Sequence, residues 1–352
     1  MALYYLSAAA SFAVSFLLVT LLKTYAAKRQ LFMTEIRPRD IHSQPTPRVG
    51  GIAVVVSFLL VVLTLYVVNP AWFNFVNQTI WGVDRNFLGL IVAVLVLAAV
   101  SAVDDYKTVP WPYRLATQIA AAALIVGFGV KIPWLNNPFG DLLVLSGGLG
   151  GLFVIVWLVG LANIVNWLDS TDGLAGGVSA IALAVLFFLS VSPEVAQSEN
   201  ALIGAVAFGS VVGFLPHNFM KKKAFLGDTG TMFLGFIIGV MAIISGGKVA
   251  TAFLVLAIPF LDAIVVFFSR VFSHQSPFLP DQRHLPHRLL ALGLKVWQVN
   301  LIYYSFSLLF GLIALNTQTI GKLNAVVLAL AVMAALVLLY SGKMGALKTT
   351  KR

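Results

Sequence analysis

The chain contains no cysteine, which excludes disulfides, thiolate nucleophiles and zinc–thiolate sites. It is also poor in charge. Asp, Glu, Lys and Arg make up 10% of its 352 residues, against about 25% in a soluble protein. Apolar residues fill the space: 60% of the chain is hydrophobic, and several stretches approach or exceed the ~18 residues needed to cross a bilayer. Lipid leaves no water to satisfy backbone groups, and alternating ten-residue strands are missing. The expected fold is therefore an all-α polytopic membrane protein. The net charge of +10 then reads as basic loops held at one membrane face, with no nucleic-acid partner.

About eleven spans are predicted, with ten as the lower count: 2–22, 49–69, 86–103, 114–130, 148–167, 173–191, 201–217, 230–246, 249–271, 299–315 and 323–340. The segment 131–145 carries Asn-Asn-Pro and Phe-Gly-Asp turns and reads as a small periplasmic hairpin. No repeat or linker interrupts the pattern, so one integral membrane domain is expected over 1–352. No positive charge precedes the first span, and Lys23, Lys28 and Arg29 follow it. It reads as an uncleaved span with its N-terminus outside. Nineteen of the twenty-three Lys and Arg then fall on the inner side, and Arg85, Lys131, Lys248 and Lys322 on the outer. That bias places the C-terminus in the cytoplasm.

With this topology the acidic residues gather on the inner side. Asp104 and Asp105 end the third span. A carboxylate at a helix C-terminus opposes the helix dipole, so a neighbouring cation is expected. In NIVNWLDSTDG, residues 163–173, Asn163, Asn166 and Asp169 are spaced three apart along a helix face, and Asp172 opens the next span. Four polar residues at one membrane boundary predict a polar pocket. Asp228 and Thr229 stand between glycines at the start of another span. A helix N-terminus attracts phosphate, and a carboxylate there can hold Mg²⁺, which takes one or two carboxylates plus water and substrate phosphate. Lys221, Lys222 and Lys223 could offset diphosphate charge. In HLPHR, residues 284–288, His284, His287 and Arg288 lack the Cys or carboxylate company of a zinc site, and phosphate binding or proton handling is expected instead. Asp262 lies inside a span and reads as structural, paired with an arginine of the next loop.

The order DD, NxxNxxDxxDG, GDxG and a histidine loop, preceded by PTPRVGG at 45–51, resembles the polyprenyl-phosphate N-acetylhexosamine-1-phosphate transferases (glycosyltransferase family 4). That superfamily includes the enzymes that start O-antigen, common-antigen and teichoic acid synthesis, and the phospho-MurNAc-pentapeptide transferases of peptidoglycan synthesis. The resemblance implies transfer of a sugar 1-phosphate from a UDP-N-acetylhexosamine, most simply UDP-GlcNAc, to polyprenyl phosphate. UMP is released, and Mg²⁺, or Mn²⁺ in its place, is the cofactor. It implies an enzyme of the inner membrane with a cytoplasmic site, membrane lipid around it, and it admits a homodimer. By resemblance Asp228 is the metal ligand, and Asp104 is the base toward the lipid phosphate, with Asp105 beside it. Asn166, Asp169 and Asp172 match the nucleotide-sugar side, with Asp172 counted among the catalytic carboxylates; Asn163, from its helix spacing, joins the substrate-binding candidates. Asn218 and Phe225 lie near the uridine, and His284, His287 and Arg288 bind substrate. This chain has Pro286 where the middle histidine of the family loop is usual, which places it nearer the GlcNAc-1-phosphate branch than the MurNAc-pentapeptide branch.

The bottom-up chemistry points the same way. A phosphate attacking a diphosphate concentrates negative charge, and catalysis is mainly positioning and neutralisation. Direct in-line attack is expected; an aspartyl-phosphate at Asp104 or Asp105 is the alternative. A transporter is the rival from another class, but transporters place ionisable groups near the midplane. A CDP-alcohol phosphotransferase shares DxxDG, yet LAGGVSAIALA follows here without charge.

Overall fold

The computed structural model describes residues 1–34, 45–132, 134–135, 137, 140, 143–146, 148–219, 224–246, 248–274 and 284–349. Lys221, Lys222 and Lys223 lie outside the described residues, as do Pro280 to Arg283 ahead of the histidine loop. The elements in order are α1 (Ala2–Arg29), α2 (Gly50–Val68), a 3₁₀ turn (Pro70–Phe73), β1 (Thr79–Ile80), β2 (Val83–Asp84), α3 (Arg85–Tyr106) and α4 (Trp111–Gly127). Then come β3 (Trp134–Leu135), β4 (Leu143–Val144), α5 (Leu149–Leu168), α6 (Leu174–Val191), α7 (Ser198–Phe219) and α8 (Gly227–Ile244). The chain closes with α9 (Val249–Val255), α10 (Ala257–Phe272), α11 (Leu285–Ala291), α12 (Val296–Asn316) and α13 (Thr319–Thr349).

Among the described residues, nine helices are long and apolar enough to cross a membrane, and a tenth crossing results if α9 and α10 form one span. The protein is a multi-pass helical membrane protein. The predicted fourth span is α4, a helix of 17 residues. The predicted ninth span is not straight: α9 and α10 meet at 80°. Pro259 explains the break, because it has no N–H to bond the Val255 carbonyl four residues back and its ring crowds that turn. The hairpin expected at 131–145 is present, with β3 and β4 antiparallel. A second antiparallel pair, β1 and β2, precedes α3.

The helices differ sharply in burial. Of the apolar window of α8, 83% is buried inside the protein, against 22% for α1 and 17% for α13. So α8 is the central post, and α1 and α13 turn most of their apolar side chains outward, as lipid-facing helices do. One hydrophobic core runs along α8 through Phe233, Phe236 and Ile237, and joins Phe58 of α2, Leu97 of α3 and Leu161 of α5.

Glycine sets how closely these helices approach. The PTPRVGG segment runs beside the start of α8: Phe225 N donates to Pro47 O at 3.0 Å, Gly50 N to Phe225 O at 2.9 Å and Gly51 N to Leu226 O at 2.8 Å. A Cβ at Gly51 would run into the backbone of Leu226 and Gly230. The glycine pair is therefore what lets α2 begin against α8.

Candidate active site

The carboxylates predicted to cluster do so, at the N-terminal end of α8. Asp105, in the last turn of α3, accepts from the backbone N–H of Asp228 at 2.8 Å and of Thr229 at 2.9 Å, and from the Thr229 hydroxyl at 2.6 Å. These are free amides of a helix start, so Asp105 caps α8 from another helix. Gly227 makes room for the cap. Its φ is +69°, and a Cβ there would strike the Asp105 carboxylate.

Asp104 points to the other side of the same turn. Its Oδ1 accepts from Val109 N at 2.5 Å and its Oδ2 from Arg114 Nη1 at 3.2 Å. The same Arg114 nitrogen reaches Asp228 Oδ2 at 3.0 Å. Arg114 thus supplies the cation that the acidic end of α3 requires. It had read only as a loop charge, because ten residues and a Pro-rich turn separate it from Asp104. Asn166 completes the corner: its Nδ2 donates to Asp228 Oδ1 at 3.0 Å and to Thr231 Oγ1 at 2.9 Å. The Asp228 side chain keeps 22% of its surface open and that of Asp104 only 5%. Asp228 is therefore the carboxylate a ligand can reach.

Asp169 ends α5 beside this group. Burial, then the negative charges of Asp228, Asp172 and Asp105, push its carboxyl up to about 7, and Arg48 offsets part of that. Asp172 lies in the turn to α6, held by backbone contacts from α12. Asn300 Nδ2 donates to Asp172 O at 2.7 Å and Tyr304 OH to Gly173 O at 2.6 Å. Asn300 and Tyr304 are one helical turn apart, a polar pair in an apolar helix that was a legible signal.

Asn163 sits one turn deeper than Asn166 and bonds elsewhere: its Nδ2 donates to Gln118 Oε1 at 2.6 Å and to Val159 O at 2.8 Å. It ties α5 to α4. Asn218 is buried, and its side chain is shared between two backbones. It accepts from Gly173 N at 2.5 Å and donates to Ala224 O at 3.1 Å. Phe225, seven residues further on and directly after Ala224, is half-buried.

The histidine loop reaches the same corner through Trp167. The ring of His284 lies 6.1 Å from that of Trp167, which stands between Asn166 and Leu168. His284 Nδ1 is 2.9 Å from Asp262 Oδ2, and Leu285 N donates to Asp262 Oδ1 at 2.9 Å. His284 is thus a loop partner of Asp262; the sequence suggested an arginine of the next loop, of which Arg283 lies outside the described residues. Pro286 occupies the first turn of α11, where its missing N–H costs nothing. His287 and Arg288 follow on that short helix, both half-buried.

Among the described residues, no three His, Asp or Glu side chains converge as a metal cage. Asp228 is reachable, Asp104 shares its arginine, and further carboxylates surround them with Arg114 as the bonded cation. Asp228 is the residue that could hold an ion of the Mg²⁺ kind, which takes one or two carboxylates and completes its shell with water and substrate phosphate.

Comparison with known proteins identifies the family. The family model described as "Glycosyl transferase family 4" matches residues 87–246, a range that holds every one of the acidic residues from Asp104 to Asp228. The chain is 31% identical over 282 residues to decaprenyl-phosphate N-acetylglucosaminephosphotransferase of Mycolicibacterium smegmatis, covering 73% of this chain and 68% of that protein. It is 27% identical to a probable undecaprenyl-phosphate N-acetylglucosaminyl 1-phosphate transferase of Bacillus subtilis, covering 80% and 76%. A phospho-N-acetylmuramoyl-pentapeptide-transferase of Limosilactobacillus reuteri is 25% identical, covering 87% and 95%.

Proposed function

The chain belongs to glycosyl transferase family 4, and from that membership and the corner around Asp228 we infer that it transfers N-acetylglucosamine 1-phosphate from UDP-GlcNAc to a polyprenyl phosphate. The observation that carries this reading is the Asp104–Arg114–Asp228–Asn166 network at the start of a central helix. An oxygen of the polyprenyl phosphate attacks the sugar-bearing phosphorus of the donor. The bond from that phosphorus to the bridging oxygen breaks, and UMP leaves with the oxygen. A phosphomonoester is already largely ionised near neutral pH, with a second pKa of about 6, so a strong protein base is not required.

Asp228 would hold Mg²⁺, with Asp104 at the same arginine. When bound, the ion would neutralise charge that develops on the diphosphate oxygens. Arg114 fixes both carboxylates and adds positive charge. Asp105 holds the helix start and is not free to act as a nucleophile, because its two oxygens already take three hydrogen bonds. That supports direct attack over an aspartyl-phosphate at Asp105. The His284–Asp262 pair orients the basic loop over the corner, where His287 and Arg288 would meet the nucleotide-sugar. Asn218, engaged on both sides, shapes the uridine end by holding the turn at Gly173.

Eleven crossings, with α4 and the bent α9–α10 pair each counted once, would place this corner at the cytoplasmic face of the inner membrane. The excess of Lys and Arg in the loops at that end supports the orientation. The assay is UMP release from purified protein given undecaprenyl phosphate and Mg²⁺, run in parallel with UDP-GlcNAc, UDP-GalNAc and UDP-MurNAc-pentapeptide. Lipid-dependent UMP from UDP-GlcNAc alone is the expected result. Release from the pentapeptide donor alone would move the chain to the other branch.

A further inference from the structure

The opposite end of the bundle holds a cavity of about 280 Å³. Asn86 at the start of α3, Val130, Lys131 and Trp134 after α4, Gln197 before α7 and Ile243 at the end of α8 all line it. The rise of α8 puts it about 24 Å from Asp228, so it is separate from the carboxylate corner. We propose that this cavity binds the headgroup of a membrane phospholipid whose headgroup carries hydrogen-bond donors, such as ethanolamine or glycerol.

Three observations carry the proposal. The first is unmet hydrogen bonding. Asn86 is 8% exposed, and its Oδ1 is buried without a partner; the Oε1 of Gln197 is likewise buried and without one. Both residues line the cavity, and turning either amide toward it would pair its oxygen with a donor of the ligand, because a buried acceptor left unmet is costly. The second is charge. Lys131 also lines the cavity, and its ammonium suits a phosphodiester beside the donor group. The third is depth. Both hairpins at this end present apolar side chains outward: Trp81 is 93% exposed in the turn of β1–β2, and Trp134, Leu143 and Val144 are exposed on β3–β4. Trp134 and Val144 face each other across that hairpin. Tryptophan at the end of a membrane bundle marks headgroup level. The cavity, lined by Trp134 of the β3–β4 hairpin, therefore lies at the level of lipid headgroups, which favours a lipid over a soluble metabolite.

A small aqueous solute of the same chemistry is the competing source, and the test separates the two. The full chain in detergent is exchanged into mixed micelles holding equal phosphatidylethanolamine, phosphatidylglycerol and phosphatidylcholine, and the retained lipid is read by native mass spectrometry. The expected result is retention of ethanolamine or glycerol lipid about tenfold over choline lipid, whose quaternary ammonium has no N–H to donate. Gln197→Leu should bring that preference toward parity, and Lys131→Met should lower retention of all three lipids, since each carries the phosphodiester. Asn86→Leu should also move the preference toward parity, and the two more exposed positions keep the test valid if that variant fails to fold. Equal retention of choline lipid, a preference unchanged in Gln197→Leu, or retention unchanged in Lys131→Met would overturn the proposal. Binding of soluble glycerophosphoethanolamine without lipid retention would also overturn it.

Discussion

At the N-terminal end of α8, polar side chains from α3, α4, α5 and α8 satisfy one another: Asp105 caps the helix, Arg114 joins Asp104 to Asp228, and Asn166 takes the remaining oxygen. At the C-terminal end, Asn86 and Gln197 line a cavity and carry buried oxygens that have no partner. The first end is preorganised, so substrate meets groups already held in place, which is what electrostatic catalysis needs. The second end, on our proposal, is completed by a lipid headgroup. Polarity at a membrane boundary therefore has two meanings here, and the hydrogen-bond inventory tells them apart.

Breaking the first end at its reachable carboxylate should have the largest effect. Asp228→Asn is expected to lower kcat by about 10³-fold or more, with little change in thermal unfolding, as steady-state UMP release beside a melting curve would show. Next comes the cap. Asp105→Ala removes three hydrogen bonds and leaves helix-start amides unmet, and should destabilise the protein by about 2–4 kcal/mol. Here the melting temperature should fall together with activity, unlike in Asp228→Asn. Gly51→Ala tests the close approach of α2 to α8. Its Cβ meets backbone and not a mobile side chain, so a loss of about 1–3 kcal/mol is expected in denaturant unfolding.

A smaller effect is expected at Arg114. Arg114→Lys keeps the charge but loses the planar fork that serves two carboxylates. We expect kcat to drop roughly tenfold, a loss of about 1.4 kcal/mol of transition-state stabilisation, with KM for the donor nearly unchanged. The smallest effect concerns pH. The Asp169 carboxyl is raised to about 7 from about 3.9 in the unfolded chain. Between these values the folded state holds a proton that the unfolded state has lost, so this residue's contribution to stability falls as pH rises from about 4 to about 7. Without divalent cation, the melting temperature should decline over that window, and Asp169→Asn should flatten the decline.

Much of the site was legible because its residues sit in short motifs at helix ends. Asp104, Asp105, Asn166, Asp169, Asp172 and Asp228 could be placed together from span order and topology alone. What could not be read was which of them hold each other. Asp105 and Asp228 are adjacent carboxylates in a list, yet one caps the helix that presents the other. Arg114 was invisible as a site residue because its role depends on the Pro-rich turn folding α4 back along α3. The bend at Pro259 escaped because hydropathy measures how apolar a segment is and not its direction. His284 escaped as a partner of Asp262 for a related reason: an arginine is the generic answer to a buried carboxylate, and only the return of the loop over α10 brings His284 to it. The orphaned acceptors of Asn86 and Gln197 leave no mark in the sequence, since both stand in ordinary helix-start contexts.

The most direct measurement is UMP release from UDP-GlcNAc by the purified full chain, with and without undecaprenyl phosphate, comparing wild type with Asp228→Asn. We predict lipid-dependent release by the wild type that chelation with EDTA abolishes, and loss of that release in a variant with an unchanged melting curve. Equal release by a folded Asp228→Asn protein would contradict the assignment of the corner at the start of α8 as the centre of the transfer.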